Sequence, residues 1–138
     1  MPAREQNAPP ATIEQELAAL EAGEVDPACF PHLEHVRLGF EMLRRRPFAE
    51  AAARFGKGLR IVTARAGKPE IYSETITVAF LALIGERMSR DGAENWEQFI
   101  RANRDLADKN ILQRWYDPEE LQSPAGRQRF VLPRRAFR

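Results

Sequence analysis

The chain has 138 residues, 43% hydrophobic and 30% charged, and its 21 basic and 20 acidic side chains leave a net charge of +1. That length suits one domain with a real hydrophobic core, and the balanced charge removes any overall field that would favour nucleic acid or an anionic membrane. The single cysteine, Cys29, excludes an internal disulfide and points to a reducing, cytoplasmic setting.

The polar start, residues 1–10, holds three prolines and reads as a disordered arm rather than a secretory signal. Thr12 with Gln15 forms a capping-box pattern, and Ile13, Leu17 and Leu20 recur at helical spacing, predicting a helix to about Glu21. Asp26-Pro27 marks a turn. A second helix is expected from Pro31, at its first position, to Arg46, and a third from Pro47 to Gly67 along the stripe Phe48, Ala52, Phe55, Leu59 and Val62. A fourth, from about Glu70 to Met88, is apolar nearly all round, the pattern of a central helix. Its most apolar run, residues 76–85, falls far short of the ~20 residues of a membrane span. Asp91-Gly92 ends it, and Trp96, Phe99 and Ile100 lead a fifth.

Beyond Asp105 the pattern shortens. Asp117-Pro118-Glu119-Glu120 and Ser123-Pro124 read as capped starts of brief helical turns. Residues 130–133 read as an extended strap, followed by a basic tail over 134–138. With strand signals nearly absent, the expected fold is all-α: one bundle of about five main helices over residues 11–133.

One constellation carries chemistry. At ~100° per residue, His32 and His35 fall on the same half of the second helix as Val36, Gly39, Phe40 and Leu43, away from Glu34, Arg37, Glu41 and Arg45. Imidazole is both a common metal ligand and the usual proton carrier near neutral pH. On the fourth helix Glu74 falls in a row with Val78 and Leu81, and a carboxylate on so apolar a helix needs a cation, a donor or a proton. His32, His35 and Glu74 are therefore expected to meet as a metal or substrate site, zinc or iron being the cofactors that suit two histidines and a carboxylate. In this reading His35 and Glu74 are the catalytic pair, and His32, Tyr72 and Thr75 bind the ligand. Cys29 makes a Cys-x-x-His-x-x-His string that Pro31 interrupts, and it reads as a small hydrophobe.

Three segments carry a resemblance: Phe30-Pro31-His32-Leu33-Glu34-His35-Val36-Arg37, then Tyr72-Ser73-Glu74-Thr75-Ile76-Thr77, then Tyr116 through Ser123 with Gly126-Arg127 and Phe130-Val131-Leu132-Pro133. In this order they resemble the motifs of a family of uncharacterised bacterial proteins, over most of residues 30–133. The family pattern has a histidine where this chain has Ser73, which alters the site if that histidine is a ligand. The resemblance implies which residues matter and no established activity.

Two other readings compete. Residues 47–58 resemble the start of a DNA-binding helix-turn-helix, preceded by Arg44, Arg45 and Arg46, but the apolar stripe continues in phase past Gly56 and favours one long helix. The acidic residues Glu5, Glu14, Glu16, Glu21, Glu24 and Asp26 and the basic residues Arg127, Arg129, Arg134, Arg135 and Arg138 offer pairing between chain ends, within one chain or in a homo-oligomer. The favoured function is a small-molecule or metal site; the alternative is a non-catalytic regulatory or partner-binding module.

Overall fold

A computed structural model of the chain describes residues 9–134. Among them there are helices and turns and no strand, so the all-α expectation holds. The main helices are α1 (Ile13–Glu21), α2 (His32–Arg45), α3 (Phe48–Arg65), α4 (Glu74–Asp91) and α5 (Trp96–Ala102), followed by the short α6 (Pro118–Gln122) and α7 (Pro124–Gln128). Single 3₁₀ turns at Pro27–Cys29, Pro69–Ile71, Arg104–Ala107 and Ile111–Arg114 join them.

Local chemistry sets the ends. Thr12 and Gln15 close the capping box of α1, with bonds of 3.2 and 2.9 Å. Pro31 and Pro47 stand as the N-caps of α2 and α3, one position earlier than a first-turn proline. Gly67 and Gly92 end α3 and α4 at φ +74° and +62°, a region that disfavours any side chain. The fourth helix begins later than the spacing predicts. Pro69 diverts 69–71 into a 3₁₀ turn, Tyr72 is extended, and the Ser73 hydroxyl accepts the Ile76 amide at 3.2 Å to start α4 at Glu74.

Helix α4 packs on α2, α3, α5 and α7, and α1 lies across α3 and α2. Two hydrophobic clusters result. One gathers Val36, Phe40, Ile84, Phe99, Leu106 and their neighbours, the other Leu17, Leu20, Leu38, Met42, Phe55 and Leu81; Leu43 packs against both. The all-round burial expected of α4 is not what forms, since Ala82, Glu86, Ser89 and Arg90 are exposed, and α2 buries as many residues. The 3₁₀ turns and α5 cover only part of its circumference.

The residues after α7 run as an extended strap over α4. Thr75 donates to the Arg129 carbonyl at 2.9 Å and accepts the Val131 amide at 3.1 Å. Tyr116 donates to the Val131 carbonyl at 2.7 Å, and the buried Glu120 accepts the amides of Asp117 and Arg134 at 2.7 and 3.0 Å. The helix-turn-helix likeness fails, because α3 runs unbroken through Gly56. Among the described residues of one chain the acidic and basic ends do not pair with each other: Glu16 pairs with Arg37, Glu14 with Arg45 and Glu21 with Arg54, while Arg134 pairs with Glu120. The rest of the expected arm and tail, residues 1–8 and 135–138, lies outside the described residues.

Two substitutions test this packing. Leu81 is 2% exposed between α2 and α3, so Leu81→Ala should lower unfolding free energy by about 2–5 kcal/mol in denaturant titrations. Gly58 lies where α1 crosses α3, and a Cβ there would collide with the Leu20 carbonyl. Gly58→Ala should therefore destabilise the protein, although alanine alone favours a helix by about 1 kcal/mol. A rise in midpoint would mean that α1 is not docked at this crossing.

Candidate functional site

A cavity of about 280 Å³ lies between α2, α3 and the N-terminal half of α4, with polar groups facing it. Its walls are mainly apolar: Val36, Phe55, Leu59, Ile76, Phe80, Leu81 and Ile84. His32 and His35 face it from α2, Thr63 from α3, and Tyr72, Ser73 and Thr77 from the start of α4. Ile71 and Lys109 complete the lining.

Each histidine is held by the protein on one side. The His32 Nε2–H donates to the Leu106 carbonyl at 2.9 Å, and its ring meets Phe80 edge-on at 4.9 Å. The His35 ring lies 4.1 Å from that of Phe30 at 32° and hydrogen-bonds to the Phe30 backbone. Burial, joined by the nearby His32, lowers the His35 pKa to about 4, against smaller upward pulls from the Phe30 backbone and Glu34. At neutral pH His35 is thus uncharged. A neutral imidazole that donates one N–H to a carbonyl keeps its second nitrogen as an acceptor.

Glu74 does not join them. Its Oε1 accepts the Tyr72 hydroxyl at 2.6 Å and its Oε2 accepts Arg60 at 3.0 Å, while the Arg60 guanidinium lies 4.9 Å above the Tyr72 ring. This Tyr72–Glu74–Arg60 cluster stands beside the cavity, and Tyr72 alone of the three forms part of its wall. Burial and then the bond to Glu74 push the Tyr72 pKa up to about 12, so the phenol stays protonated. The phase argument for Glu74 misled because its row straddles the edge of the buried face: Leu81 is buried but Val78 is only half-buried, and Glu74 lies within reach of Arg60 on α3. Among the described residues no group of three or more His, Cys, Asp and Glu side chains is placed to hold a metal ion.

Thr75 also leaves the expected set, since its hydroxyl is fully buried under the strap. Ser73, read only as a departure from the family pattern, contributes to the cavity wall while capping α4 and donating to the Gly126 carbonyl at 3.3 Å. Cys29 is exposed and its thiol points to Asp26, so it takes no part. Lys109 went unnoticed because it sits in a loop where no periodicity marks it. Phe55 and Ile76 were legible only as core. Comparison with protein-family models, curated proteins and solved structures finds no match for the chain.

The isolation of Glu74 from the histidines has a measurable consequence. The His35 ring signals should titrate near pH 4 by NMR and keep that midpoint in Glu74→Gln. Because the folded pKa lies below the unfolded value of about 6.5, the unfolded chain binds the extra proton in between, and stability should fall as pH drops from about 6.5 to 4. His35→Gln should flatten that stretch of the stability curve. A His35 midpoint near 6.5 would place the ring in solvent.

Proposed function

We propose that this protein binds a small, mainly apolar molecule in the cavity between α2, α3 and α4, with His32 and His35 as its hydrogen-bond acceptors. The observation that carries the reading is the pairing of an apolar cavity with two imidazoles whose outer nitrogens are already held by backbone. Few polar groups placed in a mostly apolar hollow are what orient a small ligand. The volume is close to twice that of the ~150 Å³ hollow that takes benzene, so a substituted single ring fits.

A metal is the poorer occupant. Two imidazoles whose far nitrogens are bound to backbone suit a metal, but among the described residues the third protein ligand expected of a catalytic zinc site is missing once Glu74 is engaged by Arg60 and Tyr72. General-base catalysis by His35 is also disfavoured, because a base whose conjugate acid has a pKa of about 4 holds a proton poorly at pH 7. What remains is binding, which suits a ligand-responsive regulatory module as well as an enzyme.

The test uses 4-ethylphenol, an apolar body with one donor. Added to isotopically labelled protein, it should shift the ring signals of His32 and His35 and the methyls of Val36 and Ile76. Ile76→Phe, which narrows the cavity, should weaken that binding at least about tenfold while the melting transition stays cooperative. Shifts confined to surface residues, or none at millimolar concentration, would overturn the reading.

A further inference from the structure

The charge around the cavity narrows the ligand class, an inference that rests on the binding role above. Among the described residues no aspartate or glutamate lines the cavity, and Lys109 is the one charged residue in its lining. The neighbouring carboxylates are occupied elsewhere: Asp108 accepts the Asn110 amide at 2.9 Å, Asp105 is held by Arg87 at 2.8 Å, and Glu74 by Arg60 and Tyr72. Among the described residues no carboxylate pairs with Lys109. Its ammonium is exposed and solvated on the loop between two 3₁₀ turns, where the long stem can cover an apolar entrance while the head stays in water.

We infer that the natural ligand is a monocarboxylic acid with an apolar body of about ten heavy atoms. The body fills the space walled by Phe55, Ile76, Phe80 and Leu81, and the carboxylate meets Lys109 at the entrance. The geometry excludes the reverse charge. A cationic headgroup would meet an ammonium, with no acidic side chain to receive it. A dianion would leave one charge facing apolar walls, which is costly to desolvate. A hydroxyl or ring N–H on the body would find its acceptors in His32 and His35.

Three probes that share one body separate the possibilities: 4-ethylbenzoate, 4-ethylbenzamide and 4-ethylbenzylamine, titrated into the full chain at low salt with the His32 and His35 ring signals as readout. The benzoate should bind about fivefold tighter than the benzamide, the size of an exposed ion pair, and the benzylamine weakest. Lys109→Gln should bring the benzoate down to the benzamide, and Lys109→Glu should reverse the order of acid and amine. Because Lys109 is exposed, both variants should melt like the parent, and added salt should erase the acid's advantage. Equal binding of benzoate and benzamide, or unchanged ratios in the Lys109 variants, would overturn the carboxylate inference and leave the cavity's binding role standing. If none of the three moves the histidine signals, both fall together.

Discussion

Three hydroxyls buried in the first turn of α4 organise the rest of the molecule. Ser73, Thr75 and Thr77 are each less than a tenth exposed, and a hydroxyl taken from water without a partner costs about 1–3 kcal/mol. Each finds its partner in a different direction. Ser73 caps its own helix and reaches the Gly126 carbonyl of α7, Thr75 holds the strap at Arg129 and Val131, and Thr77 turns back to the Ser73 carbonyl at 2.8 Å. One helical turn therefore fixes the start of α4, the seat of α7 and the path of the last described residues.

The same turn decides where the acidic chemistry goes. Glu74 lies between two inward-facing hydroxyls and so projects sideways, where Arg60 of α3 and the phenol of Tyr72 receive it. That diversion keeps carboxylates out of the cavity lining. The histidines opposite then sit among apolar walls with no counter-charge on the cavity side, and burial dominates the lowered pKa of His35. Chemistry and packing are linked here: a carboxylate turned toward the imidazoles would have raised their proton affinity instead.

The third motif segment gains its meaning from the strap. Tyr116, Glu120, Ser123 and Gly126 are spread over eleven positions, yet all serve one purpose. Tyr116 and Glu120 bond the strap backbone, Ser123 accepts the Gly126 amide at 2.9 Å to open α7, and Gly126 leaves α6 and α7 close enough that a Cβ would strike the Glu120 carbonyl. Arg127 reaches the Glu70 carbonyl at 3.2 Å, tying α7 to the turn before α4. None of these residues lines the cavity.

Much of the fold was legible in the residues because its cues are local. Thr12 with Gln15, Ser123 and the prolines at 31, 47, 118 and 124 act on backbone within one turn, and the 3.6-residue stripes of α1 to α3 name their buried faces without reference to a partner, except that Phe48 at the start of α3 is exposed. By that same phase His32 and His35 were placed on an inner face, and both do line the cavity. What only the tertiary structure decided was pairing across elements. Helical phase states the direction of Glu74 to within a sector, but two residues at that angle differ in fate according to which cation a neighbouring helix brings near, and Arg60 lies fourteen positions away. Thr75 went to the strap and Lys109 to the cavity for the same reason: their partners are set by how helices and loops stack in space, a long-range outcome that no local period encodes.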